Sequence, residues 1–271
     1  MSHKAGLAGS PAGKIGCARD GHILTITIDS PARRNALTLG MWQALTDALN
    51  AAEADPDIRC IVLRGAGGQA FSSGADISEF GDLRNSPASV IAYNEVCEQA
   101  MDRLHAVQKP TIAMIEGFCV GGGMALAISC DIRIAARNAR FGIPAAKLGL
   151  GYDFAGISRL VDIAGPSRAK EIFFTARQFD AEEAYEMNLL NRLVAEEDLA
   201  QTVATYAAMI AENAPMTIAS VKLAVGQARL DPDKRDLAAC HAAELACFQS
   251  EDYAEGRQAF AEKRKPVFRG R

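Results

Sequence analysis

The first two thirds of the chain alternate short apolar runs with stretches of helical period. Predicted strands cover residues 23–28, 58–63, 111–115 and 131–136, with a short extended piece at 141–143. Predicted helices run from a Thr38 cap to about Ala54, over residues 90–107, and from a glycine-rich turn to about Cys130. This alternation continues to about residue 194 and predicts an α/β core.

The last quarter changes class without a low-complexity linker. Helical patterns cover residues 196–212, 215–228, 234–249 and 251–264. Such a region has little strand surface of its own to cover, so we expect it to pack on the core or on another subunit. We divide the chain into a disordered tail at 1–13, an α/β core at 14–195 and a helical region at 196–271.

Composition and charge exclude several classes of protein. Hydrophobic residues make up 49% of the 271 residues, charged residues 23%, and the net charge is −4. That balance is typical of a soluble globular protein and argues against a nucleic-acid partner. No apolar run reaches the ~18 residues that span a membrane. The seven cysteines and four histidines show no zinc-binding spacing. We therefore expect reduced thiols, no metal and a cytoplasmic location.

Two glycine-rich turns carry the candidate chemistry. They are residues 71–77 (FSSGADI) and 117–126 (GFCVGGGMAL), and each follows a predicted buried strand and leads into an apolar, helix-like stretch. Glycines also permit tight turns and close packing for structural reasons alone. Free backbone N–H groups at two such turns can, however, converge on one oxygen, which is how an oxyanion hole is built.

Five motifs give the chain a family resemblance from about residue 23 to residue 268. They are residues 34–37 (RNAL), 71–77, 121–123 (GGG), 130–133 (CDIR) and 262–266 (EKRKP). Together and in this order, they resemble the crotonase (enoyl-CoA hydratase/isomerase) superfamily. The resemblance implies a spiral of ββα units, a helical C-terminal region used in trimerisation and an acyl-CoA substrate. It also implies a homotrimer or a dimer of trimers, with no cofactor beyond the CoA that the substrate carries.

The same resemblance implies residue roles. It makes the N–H groups of Ser73 and Gly122 the oxyanion donors, which could stabilise a thioester enolate by several kcal/mol. The CoA moiety would be bound by Arg34, Ala36, Ser73, Ala75, Asp76, Ile77 and Lys263. A basic side chain suits the CoA phosphates, although Lys263 can equally be a solvated surface charge.

The chain departs from the hydratase pattern at two positions. The resemblance places glutamates two residues after the glycine triplet and directly after Pro144, where this sequence has Ala125 and Ala145. Alanine can neither orient water nor carry a proton, so the two-glutamate hydration mechanism is not available.

Residues 148–153 (LGLGYD) offer replacements. They resemble the stretch that carries the acid/base of enoyl-CoA and dienoyl-CoA isomerases, with Asp153 at its place, and the tyrosine motif of methylmalonyl-CoA decarboxylase, with Tyr152 at its place. Asp153 could instead cap a helix beginning near Ala155, and Tyr152 could be a wall of the pocket. Glu116 is a third nearby carboxylate that a structural role explains better. His105 and His241 have no paired carboxylate.

Several functions remain open at this point. We favour an acyl-CoA enzyme that stabilises a thioester enolate and moves a proton with Asp153, hence an isomerase or an atypical lyase. A malonyl-type decarboxylase using Tyr152 is the second hypothesis, and a hydratase with one displaced acid is the third. A non-catalytic acyl-CoA-binding protein is the fourth. A dinucleotide-dependent oxidoreductase is disfavoured because no G-x-G-x-x-G follows the first strand.

Overall fold

The computed structural model describes residues 13–271, so nearly all of the tail predicted at 1–13 lies outside the described residues. These residues form ten strands, namely β1 (Lys14–Asp20), β2 (Ile23–Asp29), β3 (Cys60–Gly65), β4 (Ala70–Ser72), β5 (Thr111–Ile115), β6 (Phe118–Val120), β7 (Ile132–Ala136), β8 (Arg140–Gly142), β9 (Phe179–Asp180) and β10 (Arg192–Val194). The same part of the chain forms eleven α-helices, namely α1 (Leu39–Ala54), α2 (Phe80–Leu83), α3 (Pro87–Ala106), α4 (Gly122–Ser129), α5 (Ala145–Leu148), α6 (Phe154–Thr175), α7 (Ala181–Glu186), α8 (Leu199–Glu212), α9 (Pro215–Ala228), α10 (Leu237–Gln249) and α11 (Glu251–Glu262).

The long elements lie close to the predicted bounds. Strand β5 and helix α9 have the bounds predicted for them. The Thr38 side chain accepts a hydrogen bond from the amide of Met41, which confirms the predicted cap of α1. Strand β3 begins two residues later than predicted because the Ile58 amide still closes a turn on the Asp55 carbonyl, at 3.2 Å.

Two sheets alternate along the chain and produce repeated units. The larger sheet has the order β1-β2-β3-β5-β7-β10, and the smaller one the order β4-β6-β8-β9. All pairs are parallel except β1 with β2 and β8 with β9. Three times, a strand of the larger sheet continues into a strand of the smaller sheet and then into a helix. This is the predicted spiral of ββα units.

Each face of the larger sheet is covered by helices. On one face, the largest buried cluster includes Trp42 and Leu45 of α1 and Leu104 of α3. On the other face, Leu199 and Val203 of α8 pack with a second buried cluster. Helix α8 therefore covers the core, as expected for the start of the helical region. After Val194, the described residues contain no further strand.

The smaller sheet brings the two glycine-rich turns together. Strands β4 and β6 are parallel neighbours, with Ser72 paired to Cys119. Parallel strands end at the same edge of a sheet, so the turns that follow β4 and β6 lie side by side. The candidate site is built at that edge.

Candidate active site

The first turn is held by a buried asparagine of the RNAL motif. Asn35 is fully buried and has a left-handed φ of 55°. Its amide nitrogen donates to the carbonyls of Ala66 (2.8 Å) and Ala70 (2.7 Å). The Ser72 hydroxyl donates to the Asn35 carbonyl at 2.8 Å and accepts from the Gly74 amide at 3.0 Å. These bonds fix the backbone at the end of β4.

The structure corrects the predicted donor in this turn. The Ser73 amide donates to the Arg34 carbonyl at 3.0 Å, and the Ser73 hydroxyl donates to the Arg33 carbonyl at 3.3 Å. A backbone N–H that already bonds a protein carbonyl is not free for a substrate oxygen. Ser73 therefore lines the cavity described below, but its amide is not available as an oxyanion donor.

The neighbouring Ala75 amide is free instead. The Gly74 carbonyl accepts from the Leu37 amide, and the Asp76 amide donates to the Leu37 carbonyl, both at 2.8 Å. In a trans peptide the carbonyl and the following N–H point in opposite directions. The Ala75 N–H therefore points away from Leu37, and within residues 13–271 it has no protein acceptor.

The second turn presents the Gly122 amide. Gly122 is the first residue of α4, where backbone N–H groups have no partner within the helix. The Gly121 carbonyl accepts from the Ala125 amide at 3.0 Å and so points along the helix. The Gly122 N–H, which belongs to the same peptide, then points out of the helix N-terminus, where the dipole favours negative charge. The role of Gly122 as an oxyanion donor stays a prediction, with which this placement is compatible.

The two turns approach so closely that only glycine fits. A Cβ on Gly123 would lie 2.1 Å from the Ser72 carbonyl oxygen, and one on Gly74 would lie 2.6 Å from the Gly122 nitrogen. Gly74 also has a φ of +90°, which side chains rarely adopt. The contact between the turns brings the amides of Ala75 and Gly122 to one place.

A cavity of about 190 Å³ opens onto both amides. Its walls include Ala75 and Gly122, and also Ala125 and Ala145, the positions where the resemblance places glutamates. Both alanines are buried, so these parts of the wall are apolar. The two positions at which this sequence lacks the hydratase glutamates therefore do face the cavity.

Asp153 both caps a helix and faces this cavity. It is the N-cap of α6, where its Oδ2 accepts from the Gly156 amide at 2.6 Å. The side chain also lines the cavity and is only partly exposed. The cap uses Oδ2, and Oδ1 has no hydrogen-bond partner among the described residues. The two interpretations of Asp153 are therefore compatible.

Sequence reasoning missed a second carboxylate, Glu98 of α3. It lines the same cavity and is half-buried. Burial raises the pKa of its carboxyl above the usual range, and the negative charges of Asp153 and Asp102 raise it further. Asn94 lies one helical turn earlier and lines the same cavity. The sequence could have pointed to Glu98 through this pair, because Asn94 and Glu98 share one face of α3 next to the buried Tyr93.

Tyr152 is a further wall of the cavity. Its ring packs edge-on against Phe173, with 4.8 Å between the ring centroids. Burial raises the pKa of its hydroxyl, and the charge of Asp153 raises it further, so this group keeps its proton. It can therefore donate a hydrogen bond to an oxygen in the cavity.

The predicted CoA-binding residues fall into two groups. Ala36 is buried in the RNAL turn, Asp76 is buried and ion-paired with Arg33, and Ile77 lines the cavity with 61% of its surface exposed. The Arg34 guanidinium lies 4.6 Å from the centre of the Phe118 ring. These residues surround the first turn.

Other candidates lie elsewhere. Lys263 is the exposed C-cap of α11 and does not line the cavity. Glu116 lies 3.6 Å from Arg64 as an ion pair and is not part of the wall either, which agrees with a structural role. His105 and His241 are also absent from it.

The described residues were also searched for metal sites, membrane-spanning helices and reactive thiols. Within residues 13–271 no group of three His, Cys, Asp or Glu side chains is placed to hold a metal ion. The described helices include none long and apolar enough to cross a membrane. All seven cysteines are free, and burial raises the pKa of the Cys97 thiol in the cavity wall to about 12. That thiol is therefore protonated at neutral pH.

Comparison with known proteins gives consistent matches over nearly the whole chain. A family model described as enoyl-CoA hydratase/isomerase matches residues 18–271. The chain is 34% identical over 247 residues to a short-chain-enoyl-CoA hydratase of Clostridium acetobutylicum, covering 91% of this chain and 94% of the relative. It is 32% identical over 262 residues to a carnitinyl-CoA dehydratase of Salmonella typhi, covering 93% and 97%.

A solved structure also matches nearly the whole chain. An enoyl-CoA hydratase/carnithine racemase from Magnetospirillum magneticum is 40% identical and superposes with a TM-score of 0.90, over 95% of this chain and 96% of that one.

Proposed function

Because the chain belongs to the enoyl-CoA hydratase/isomerase family and has the crotonase fold, we propose that it acts on an acyl-CoA thioester through a stabilised enolate. The observation that carries this proposal is the pair of free amides, Ala75 and Gly122, in one cavity with Asp153. Each donor aimed at the oxyanion is worth about 3–4 kcal/mol of barrier in comparable sites.

The proposed first step is removal of a proton from the carbon next to the thioester. The Asp153 carboxylate takes the proton, the electron pair of the C–H bond forms a double bond to the thioester carbon, and the π pair of the carbonyl moves onto the thioester oxygen. The amides of Ala75 and Gly122 then hold the negative charge of that oxygen. Return of a proton further along the conjugated chain completes an isomerisation.

Glu98 supplies a second carboxyl group in the cavity that holds Asp153. Burial raises the pKa of Glu98, and the negative charges of Asp153 and Asp102 raise it further, which favours the protonated form of Glu98. In the proposed isomerisation, Asp153 takes the first proton and Glu98 returns one to the chain. Transfer of a proton from Asp153 to Glu98 then restores both groups.

Hydration is a related possibility within the same proposal. The relatives named above are called a hydratase and a dehydratase. Since this chain has Ala125 and Ala145 in the cavity wall, a water molecule would have to be activated by Asp153 or Glu98 instead.

One observation supports a second candidate, decarboxylation of a malonyl-type CoA ester. Tyr152 lines the cavity and keeps its proton, so it can donate to a substrate carboxylate. Loss of carbon dioxide leaves its electron pair as an enolate on the thioester. The amides of Ala75 and Gly122 could stabilise that enolate without any base.

A panel of 2-enoyl, 3-enoyl and malonyl-type CoA esters tests the proposal. With wild type, we expect turnover of an enoyl ester, and with Asp153→Asn a loss of about 10²–10⁴-fold in kcat. Binding of a saturated ester should change little. Full activity of the Asn variant would remove Asp153 from the mechanism. Carbon dioxide release that survives in Asp153→Asn and falls in Tyr152→Phe would select the decarboxylase. Binding of every ester without turnover would indicate a non-catalytic protein.

A further inference from the structure

One buried arginine outside the candidate site joins the three helices that carry its groups. Arg159 lies in α6, shortly after the Asp153 cap, and has 8% of its surface exposed. It does not line the cavity described above, but lines a second cavity of about 480 Å³. Any effect of this side chain on the reaction must therefore pass through other residues.

The first link of Arg159 runs to α3. Its guanidinium donates to the Asp102 carboxylate, with which it forms an ion pair. Asp102 lies one helical turn after Glu98, so the two carboxyl groups share one face of α3. A buried guanidinium is costly unless it is paired and hydrogen-bonded, so the fold favours this contact strongly. The helix that carries Glu98 is thereby tied to the helix that begins after Asp153.

The second link runs to α4. The other terminal nitrogen of the Arg159 guanidinium donates to the Ser129 hydroxyl oxygen at 3.4 Å. That buried hydroxyl in turn donates to the Ala125 carbonyl at 2.9 Å. Ser129 is the last residue of α4, and Gly122 is the first. One guanidinium therefore holds together the three helices that carry Glu98, Gly122 and Asp153.

The two carboxyl groups of these helices also interact electrostatically. Burial raises the pKa of the Glu98 carboxyl, and the charges of Asp153 on α6 and of Asp102 and Glu95 on α3 raise it further. Arg84, the C-cap of α2, adds a cation to the same cavity wall. Because Coulomb energy depends on distance, the effect of Asp153 on Glu98 reports how far apart α3 and α6 hold them.

We propose that Arg159 is a positioning residue, which holds Glu98 and Asp153 at the separation that their proton transfers require. It acts from outside the cavity wall, by fixing α3 and α4 against α6. This inference rests on the proposed function in one respect, since it takes Asp153 as the base and Glu98 as the acid. A misplacement of reacting groups by about 1 Å can cost a factor of about 10² in rate.

A second arginine offers a matched control. Arg177, which follows the end of α6, donates to Glu171 of α6 at 2.8 Å and to Glu183 of α7 at 2.9 Å. Its ion pairs therefore join α6 to α7, and α7 contributes no residue to the cavity wall. Arg177→Met removes as many charged contacts as Arg159→Met, but leaves the links among α3, α4 and α6 in place.

Infrared titration of the Glu98 carboxyl tests the inference without turnover, with the band assigned by its loss in Glu98→Gln. In otherwise wild-type protein, Asp153→Asn should lower the pKa of Glu98, because a nearby negative charge is removed. In an Arg159→Met background, the same substitution should lower it by less than about half as much, since α3 and α6 are no longer held together. In an Arg177→Met background, the full effect should remain.

Turnover of an enoyl-CoA ester gives a second readout. Arg159→Met should lower kcat about 10–100-fold, whereas the Kd of a saturated CoA ester should change less than about threefold, because no contact with the substrate is lost. Arg159→Lys keeps a cation opposite Asp102 but loses the planar fork of donors, so both of its readouts should lie between those of wild type and Arg159→Met. Arg177→Met should keep the wild-type kcat.

Two outcomes would overturn the inference. One is an unchanged effect of Asp153→Asn on Glu98 in the Arg159→Met background, or in the Arg159→Lys background if the methionine variant does not fold. The other is an equal loss of kcat in Arg159→Met and Arg177→Met, which would give Arg159 a role in stability alone. Failure of the proposed proton transfer has a different signature, because Asp153→Asn would then stay active while the coupling of the two carboxyl groups still depended on Arg159.

Discussion

At the scale of single residues, the site depends on which backbone amides are already bonded. Ser73 and Ala75 are two residues apart in one glycine-rich turn, but the Ser73 amide bonds the Arg34 carbonyl, and the Ala75 amide has no acceptor among the described residues. The motif was visible in the sequence. The direction of each peptide group was not visible in the sequence, because it depends on hydrogen bonds to Arg34 and Leu37, almost forty positions earlier in the chain.

Two substitutions of Asp153 can separate its role as a helix cap from its proposed role in catalysis. Asparagine is as good an N-cap as aspartate, whereas alanine is not. We expect Asp153→Asn to unfold like wild type and Asp153→Ala to lose about 0.5–2 kcal/mol in free energy of unfolding, measured by urea titration. Both variants should lose activity. An active Asn variant would mean that Asp153 only caps α6.

Gly123 tests the close contact between the two turns. Because its Cβ would lie 2.1 Å from the Ser72 carbonyl oxygen, Gly123→Ala must displace backbone at the site. We expect a loss of about 1–3 kcal/mol in free energy of unfolding, together with weaker activity.

Gly40 is the matched control for that variant. It lies in α1, and a Cβ there meets nothing within 4 Å. Gly40→Ala should leave activity unchanged and stabilise the fold by about 0.4–1 kcal/mol. If thermal unfolding of the two alanine variants were the same, the account of the close contact would be wrong.

At the scale of elements, helices and apolar strands of five or more residues were largely predictable, and three-residue strands were not. Helix α9 and the fully buried strand β5 have the predicted bounds. Strand β1 was missed because its residues are mostly exposed and lack alternation, as is common for an edge strand. Strands β4 and β6 have three residues each and lie within glycine-rich segments, so their pattern resembles turns. The smaller sheet, which aligns the site, was therefore not visible in the sequence.

Helix α8 should contribute strongly to stability because it covers one face of the larger sheet. Leu199 is buried there, with 1% of its surface exposed, whereas Met209 on the same helix is 59% exposed. Leu199→Ala should cost about 2–5 kcal/mol in free energy of unfolding. Met209→Ala should stay within about 0.5 kcal/mol of wild type. Equal costs would mean that α8 does not pack as described.

The segment after the first turn should lose stability in acid. Burial alone would raise the pKa of the Asp76 carboxyl, but hydrogen bonds from Ser78 and Arg33 outweigh it and lower the pKa. The folded state therefore favours the ionised form. The stabilisation is complete above the ordinary pKa of about 3.9 and is lost as the pH falls through the lowered value.

Asp76→Asn removes this titration. We expect the variant to lose about 1–3 kcal/mol at neutral pH, and its free energy of unfolding to depend less on pH below about 4 than that of wild type. Parallel pH profiles for the two proteins would show that Asp76 is not the responsible group.

At the scale of the whole molecule, the spiral of ββα units places the site, and the C-terminal helices leave large apolar side chains in solvent. Leu237, Phe248 and Phe260 are 65%, 55% and 87% exposed in the single chain. An apolar surface of this kind is typical of a protein–protein interface. The trimer implied by the family resemblance remains a prediction that this surface supports.

Light scattering at micromolar protein concentration tests the predicted trimer. We expect a particle of three or six times the 28.8 kDa chain mass. A single-chain mass over the same concentration range would contradict the predicted trimer and leave the apolar surface of α10 and α11 unexplained.

The central claim is that one cavity forms a thioester enolate with the amides of Ala75 and Gly122 and the carboxylate of Asp153. The most direct measurement is deuterium uptake, followed by mass spectrometry, at the carbon next to the thioester of saturated CoA esters in heavy water. We predict uptake with wild type and with Lys147→Gln, a control that removes an exposed cation of α5 outside the cavity wall. The rate should be at least about 100-fold lower with Asp153→Asn. Uptake at the wild-type rate in Asp153→Asn, or none from any ester that wild type binds, would contradict the claim.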